Sequence, residues 1–240
     1  MRVFILAITI LFFNQSLAAE TGLVVIASNH SDFQKGKIID HTQTFNLKSG
    51  DSIKLVSSSG KVTLLQGPYS GTINFASKAD DDEVLRSVSE LVKGSQPTDF
   101  ALAIFRGSAT KVLTDRLDIW GVDIRESGSY CVRKSHPVYL WWPRPVAETS
   151  VLLSRVSSGL STEIKWPAKE KYVGWPDTVP LKDKAEYSLV NDATSQVTNV
   201  NVFLIPADIK TDMGIVAWMS DRDCTKQATR LLGKLLSDSQ

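Results

Sequence analysis

Cysteine and histidine are scarce in this sequence, and their scarcity limits the chemistry that it can support. The 240 residues include only two cysteines and three histidines. His30, His41 and His136 are widely separated, so the sequence contains no recognisable metal-binding cluster, and we expect neither a metal nor a cofactor. The two cysteines are too far apart for a CxxC motif. Redox catalysis and zinc binding are therefore poorly supported.

Motifs of the common enzyme classes are also missing. The chain contains neither a GxGxxG fingerprint nor a Walker A loop, which excludes the usual nucleotide sites. Residues 67–71 (GPYSG) have the wrong spacing for a G-x-S-x-G nucleophile elbow, and no helix is predicted directly after them. Residues 58–61 (SSGK) match S-x-x-K only by letters, because they lie at the tip of a predicted hairpin. We therefore expect a protein that is not an enzyme.

The sequence also has no excess of one charge and no apolar run of membrane-spanning length. It contains 27 basic and 26 acidic side chains. Such a balance gives no long-range field to attract nucleic acid or anionic lipid, so we expect no nucleic-acid partner. Residues 3–13 are uncharged and apolar, but a transmembrane helix needs about 20 such residues.

The N-terminus instead has the three parts of a secretory signal peptide. Met1 and Arg2 give a positive start, the apolar core follows, and Ser16 and Ala18 are the small residues of a cleavage site. We predict cleavage after Ala18 and a periplasmic mature protein that begins at Ala19. Only Arg2 would be lost among charged residues, which leaves 26 of each sign. An uncleaved membrane anchor is the alternative.

In an oxidising compartment, the single cysteine pair predicts one disulfide, between Cys131 and Cys224. Cys224 begins a stripe with helical spacing, which continues through Gln227, Ala228, Leu231, Leu232 and Leu235. Asp221 or Asp223 is a candidate N-cap for this helix. The bond would attach the last helix to the domain that contains Cys131.

Residues 22–78 show the pattern of short strands. The apolar run 22–27 predicts a strand that is covered on both faces, and 36–40 and 44–47 predict two more. Residues 52–55 and 61–64 alternate around the turn 58–60, which predicts a β-hairpin. The glycines and proline of residues 67–71 are expected to end the pairing. We therefore predict that these residues form a small all-β module.

This part of the chain resembles the FecR-like β module of bacterial envelope proteins. The similarity rests on residues 35–37 (KGK), 47–55 (LKSGDSIKL), 59–62 (SGKV) and 67–68 (GP), and we place the module at 19–78. The chain as a whole, with 128–132 (GSYCV), 138–141 (VYLW) and 223–228 (DCTKQA), is similar to uncharacterised bacterial periplasmic proteins. The resemblance implies location and architecture. FecR-type proteins relay signals through a membrane helix, and no such helix is found in this sequence.

The remainder divides into a helical connector at 79–117 and a β-sandwich with C-terminal helices at 118–240. Four acids at 80–83 precede a helical stripe of Val84, Leu85, Val88, Leu91 and Val92, which indicates helix capping rather than a calcium site. Residues 100–105 fit either helix or strand. Seven candidate strands follow (117–124, 130–132, 138–142, 151–156, 162–166, 185–190 and 198–205), then helices at 213–219 and 223–236. The predicted fold class is mainly β, closed by a disulfide-anchored helix.

Three Trp-Pro pairs are the one unusual feature. They place Trp142, Trp166 and Trp175 directly before prolines. The favoured interpretation is that each proline ends a strand while the tryptophan fills the core. Under the alternative, exposed tryptophan rings form a surface that stacks on the sugars of an envelope glycan such as peptidoglycan. Two hypotheses follow. The first is a non-enzymatic scaffold or adaptor with an envelope protein partner. The second is a protein that binds a glycan through the Trp-Pro region, either as a binding module or as a hydrolase that also uses Asp177 or Glu163.

Overall fold

The computed structural model describes residues 22–40, 42–73, 82–95 and 117–238. The predicted signal peptide, Asp80, Asp81 and the ambiguous segment 100–105 lie outside these ranges. Within them the fold is mainly β, as predicted. Fourteen strands are present: β1 Gly22–Ser28, β2 Ile38–Asp40, β3 Thr44–Leu47, β4 Ser52–Ser57, β5 Val62–Gln66, β6 Tyr69–Thr72, β7 Val122–Asp123, β8 Gly128–Arg133, β9 Tyr139–Trp141, β10 Thr149–Arg155, β11 Leu160–Trp166, β12 Tyr172–Gly174, β13 Ala185–Asn191 and β14 Gln196–Ile205.

The N-terminal strands form a four-stranded antiparallel sheet in the order β2-β1-β4-β5. Strand β1 is central, and its first five residues are buried, which confirms the prediction of a strand covered on both faces. Leu23 and Val25 contribute to a core with Phe45 of β3. Val24 and Ile26 alternate to the opposite face and join a second core, shared with the helices. The predicted hairpin is β4–β5, and Gly60 in its turn has a φ of 86°.

Two strand predictions need correction, and one strand was missed. Residues 67–71 do not end the pairing, because β6 follows them and pairs with β3, with Leu47 opposite Tyr69. Gly67 makes this possible, since a Cβ there would lie 1.8 Å from the Lys48 carbonyl oxygen. The strand predicted at 117–124 is reduced to β7, because residues 118–121 form a turn closed by a Gly121 N–H bond to the Asp118 carbonyl. Strand β12 was not predicted.

The C-terminal strands form the expected sandwich. A five-stranded sheet, β11-β10-β13-β14-β8, faces a three-stranded sheet, β12-β9-β7. Val151, Leu153 and Tyr187 from the larger sheet share a core with Val122 and Leu140 from the smaller one. Most pairs are antiparallel, but β14 and β8, and likewise β7 and β9, are parallel.

The described ranges contain three helices: α1 Asp82–Gly94, α2 Asp212–Ser220 and α3 Thr225–Asp238. The stripe predicted for α1 is present, and Asp82 and Glu83 occupy its first turn, where negative charge stabilises a helix. Thr211 caps α2 by accepting a hydrogen bond from the Gly214 N–H. Neither Asp221 nor Asp223 caps α3 as predicted, because Cys224 is the residue directly before that helix and its carbonyl accepts from the Ala228 N–H. Asp221 instead ends α2, and its carboxylate accepts a hydrogen bond from the Ser87 hydroxyl of α1.

The helical core connects the two β units. It combines buried residues of α1, α2 and α3 with Val24 and Val56 of the first sheet and with Cys131 and Ile205 of the sandwich. Cys131 and Cys224 form the predicted disulfide, with Cα atoms 5.9 Å apart. Helix α3 is therefore anchored to β8 covalently, while much of its apolar stripe lies among the other helices and the first sheet. None of the helices in the described ranges is long and apolar enough to cross a membrane.

Candidate interaction site

The tryptophans of the three Trp-Pro pairs all face the sandwich core. Trp166 is fully buried, and its Nε1 donates to the Glu170 carbonyl oxygen. Trp175 is half-buried, and its Nε1 donates to the Val179 carbonyl oxygen. Trp142 is also half-buried and packs edge-on against Trp166, with ring centroids 5.9 Å apart. Their indoles fill and close the core, so the three do not form an exposed row.

The acids suggested for hydrolysis do not join these tryptophans. Glu163 lies on β11 at an exposed position between inward-facing residues, and its carboxylate accepts a hydrogen bond from the Ser150 hydroxyl. It therefore faces away from the core side that holds Trp166. Asp177 is exposed in the loop after Trp175. Among the residues whose positions are described, no group of three or more His, Cys, Asp or Glu side chains has the arrangement of a metal site.

The outer face of the three-stranded sheet instead carries a continuous group of aromatic rings. Strand alternation directs Leu140 and Val173 to the core and places Tyr139, Trp141 and Tyr172 on the opposite face. Tyr172 is directly opposite Trp141 in the register, and Gly174 is opposite Tyr139. The tyrosine rings meet edge to face at 6.5 Å and are 38% and 37% exposed. We call Tyr139, Trp141, Tyr172 and the adjoining Arg125 the aromatic stripe.

Arg125 is fixed at one end of this stripe. Its Nε and Nη2 donate to the two carboxylate oxygens of Asp123 at 3.0 and 2.8 Å, and its guanidinium lies 5.0 Å from the Trp141 ring centroid. The hydrogen bond to Asp123 is the main cause of the raised pKa of Arg125. Asp123 is buried, whereas the Arg125 side chain is 42% exposed. The cation is therefore held in place by a buried carboxylate and still faces solvent.

Trp141 has one feature that the core tryptophans lack. It is 92% buried, beneath Arg125 and its neighbours, yet its Nε1 has no hydrogen-bond partner in the described part of the chain. Leaving a buried donor unpaired costs about 1–3 kcal/mol. The Nε1 atoms of Trp166 and Trp175 are both hydrogen-bonded, and Trp141 differs from these two in this respect.

Part of this site could have been found from the sequence. In residues 138–141 (VYLW), alternation with Val138 and Leu140 inward places Tyr139 and Trp141 outward. The Trp-Pro pairs do not indicate this pattern, because Trp142 follows the strand and turns inward. Tyr172 had no signal, since β12 has three residues and a glycine at its end. Arg125 is recognised only from its contact with Trp141.

Comparison with known proteins does not assign this site to a family. No family model matches the sequence, and no curated protein matches it.

Proposed function

We propose that the mature chain is an exported, non-enzymatic cell-envelope protein that acts as a scaffold or adaptor by contact with a protein partner. The disulfide indicates an oxidising compartment. Residues 1–18 have the features of a signal peptide, which supports a periplasmic location. The resemblance of residues 19–78 to the FecR-like module fits the same location, and it remains part of this proposal.

The aromatic stripe is the observation that carries the proposal. Tryptophan, tyrosine and arginine are the residue types most enriched at the energetic centres of protein interfaces. In this protein, two exposed tyrosines, a buried tryptophan and a fixed arginine lie together on the outer side of one sheet. Their rings are held by a sheet, so little side-chain entropy remains to be lost on binding. A partner that covers the stripe would gain contact area at a small ordering cost.

The connection between the two β units supports an adaptor role. The disulfide joins α3 to β8, and the helical core includes residues from both the first sheet and the sandwich. Gln227 reinforces this joint by binding the Cys131 backbone. A surface on one unit is therefore held in a fixed relation to a surface on the other, as an adaptor requires.

Site-specific photo-crosslinking in cells that express the protein tests the proposal. A photoreactive residue is placed at Tyr139 or Tyr172, and matched controls carry it at Leu152 or Val197 on the outer face of the larger sheet. The controls are at least as exposed as the tyrosines, at 40% and 57%. We expect one defined envelope protein to be captured from both stripe positions and from neither control. Equal capture from all four positions, or none from the stripe, would count against the proposal.

Export is tested by the mass of the processed protein. Intact-mass analysis of the periplasmic fraction is expected to show an N-terminus at Ala19. Retention of Met1 in that fraction, or recovery only from the cytoplasm, would contradict export with cleavage.

Glycan binding is the second candidate, and the same stripe now supports it in place of the Trp-Pro pairs. Exposed tyrosine faces can stack on sugar rings, and Gly174 has open space where a side chain would stand opposite Tyr139. Cosedimentation with purified peptidoglycan distinguishes the candidates. Retention that Tyr172→Ala abolishes and Val197→Ala leaves intact would favour the glycan. Release of soluble sugar fragments by the pure protein would contradict the non-enzymatic proposal.

A further inference from the structure

A groove of about 650 Å³ lies on the N-terminal unit, between the β1–β2 loop and helix α1. It is on a different unit from the aromatic stripe. Its charged lining comprises four basic and two acidic side chains: Lys35, Lys37, Arg86 and Lys93, with Asp32 and Glu90. A local excess of positive charge in a chain with balanced overall charge marks a surface that attracts anions over short distances.

Two of the basic side chains have no acidic partner in the described ranges. Lys37 donates from Nζ to the backbone carbonyl oxygen of Asp32 at 2.8 Å, so its charge is oriented but not neutralised. Arg86 is exposed on α1 and has no ion pair with another described residue. Lys93 differs, because it pairs with Glu90 at 2.8 Å across one turn of the helix. Lys35 donates to the Ser95 carbonyl oxygen. In the described part of the chain, Lys37 and Arg86 are therefore the groove cations that we take as available to the carboxylates of a ligand.

The groove is also held in a fixed shape. Gly36 has a φ of 80°, and a Cβ there would lie 2.3 Å from the Lys93 Cγ, so only glycine lets the loop approach α1 this closely. The Ser89 hydroxyl donates to the Gly36 carbonyl oxygen and fastens the loop to the helix. Lys37 lies 5.5 Å above the Phe33 ring, and Phe33 is buried against Phe45. Lys37 is thus positioned before any ligand arrives.

We propose that this groove binds an acidic peptide segment of a second protein partner. Carboxylates spaced along an extended chain match cations that line an open groove, and both Lys37 and Arg86 retain N–H donors for them. The proposal does not depend on the aromatic stripe, because the two surfaces lie on different units and involve no common residue. The protein would then bind two partners through separate sites.

Fluorescence anisotropy with a labelled decaglutamate peptide, at low salt, tests the proposal on the full mature protein. The wild type is expected to bind it and not a decalysine peptide, and affinity should fall at least tenfold between 20 and 200 mM salt, as electrostatic binding requires. The variant Lys37→Glu with Arg86→Glu should bind at least tenfold more weakly than wild type. The milder Lys37→Gln with Arg86→Gln should give an intermediate loss.

The control reverses two exposed lysines elsewhere, Lys165→Glu on β11 with Lys234→Glu on α3. It has the same net charge as the groove variant and should bind within twofold of wild type. Equal weakening in both double variants would show that only net charge matters and would overturn the proposal. Absence of wild-type binding would overturn it, as would inorganic phosphate displacing the peptide at equal ionic strength. Thermal unfolding of each variant confirms that loss of binding is not loss of fold.

Discussion

Gln227 joins helix α3 to the edge of the sandwich through its side-chain amide. Its Oε1 accepts from the Cys131 N–H at 2.7 Å, and its Nε2 donates to the carbonyl oxygens of Cys131 and Ile119 at 2.9 and 2.6 Å. The amide therefore binds the free edge of β8 as a neighbouring strand would. The spacing of Gln227 places it on the apolar stripe of α3, and in the structure its buried amide hydrogen-bonds the helix to the sandwich.

Replacing Gln227 with methionine keeps the length of the side chain and removes all three hydrogen bonds. The Cys131 N–H would be left buried and unpaired, so we expect a loss of about 2–3 kcal/mol in the free energy of unfolding, measured with urea. Gln196→Met is the control, because Gln196 is exposed and donates one bond, to the Arg125 carbonyl. That variant should lose less than about 1 kcal/mol. Equal losses in the two variants would contradict this role for Gln227.

The buried hydroxyl of Tyr130 should make the free energy of unfolding decrease at alkaline pH. Burial raises its pKa above the ordinary value, and its hydroxyl lies within hydrogen-bonding distance of the Asp123 and Glu126 carbonyl oxygens. A raised pKa in the folded state means that the unfolded chain releases this proton first. The contribution is therefore fully present below pH about 10 and falls above it.

Tyr130→Phe should remove this pH dependence. Unfolding free energies at pH 8 and pH 10.5 are compared for the two proteins, and wild type should lose more stability across that interval than the variant. The variant itself should be less stable at pH 8 by about 1 kcal/mol, from the lost hydrogen bond. Parallel pH profiles would show that Tyr130 does not cause this decrease.

At the scale of elements, the predictions succeeded where one face of a strand or helix is buried. Strand β3 was placed at its observed ends, and the larger strands of the sandwich were found within about two residues, because periodic burial leaves a periodic pattern. Strand β12 was missed because its three residues end in a glycine and show no alternation, and only two residues of the strand predicted at 117–124 form β7. Strand β6 was missed because a turn rich in glycine and proline indicates a chain reversal but not which sheet the chain enters next.

Helix α3 owes part of its position to the disulfide. Both cysteines are at most 1% exposed, and the bond closes a loop of 93 residues. In the chain-entropy description such a loop contributes about 4–5 kcal/mol. Thiol labelling of the oxidised protein under denaturing conditions, without reductant, should find no free thiols.

The paired substitution Cys131→Ala with Cys224→Ala should lower the free energy of unfolding by several kcal/mol. Hydrogen exchange should speed up first in α3, because that helix would keep only its packing and the Gln227 bonds, while the central strand β13 stays protected. Uniform acceleration across α3 and β13 would mean that the bond stabilises the whole molecule rather than anchoring one helix.

At the scale of the whole molecule, two surfaces of different character lie on two connected units. The sandwich presents the aromatic stripe, and the N-terminal unit presents the basic groove. The helical core and the disulfide connect them. Sequence periodicity could indicate both β units, but not this joint, because α1 packs against β1 and α2, which are distant from it along the chain.

We propose that the aromatic stripe is the surface by which this protein recognises its partner. To test this, the crosslinked partner is purified and its affinity is measured for wild type and two double variants. Tyr139→Ala with Tyr172→Ala should weaken binding by about 30-fold or more, which corresponds to the roughly 2 kcal/mol of an interface hot spot. Leu152→Ala with Val197→Ala, on the opposite face, should change it less than twofold. Equal affinities for wild type and the tyrosine variant would contradict the claim.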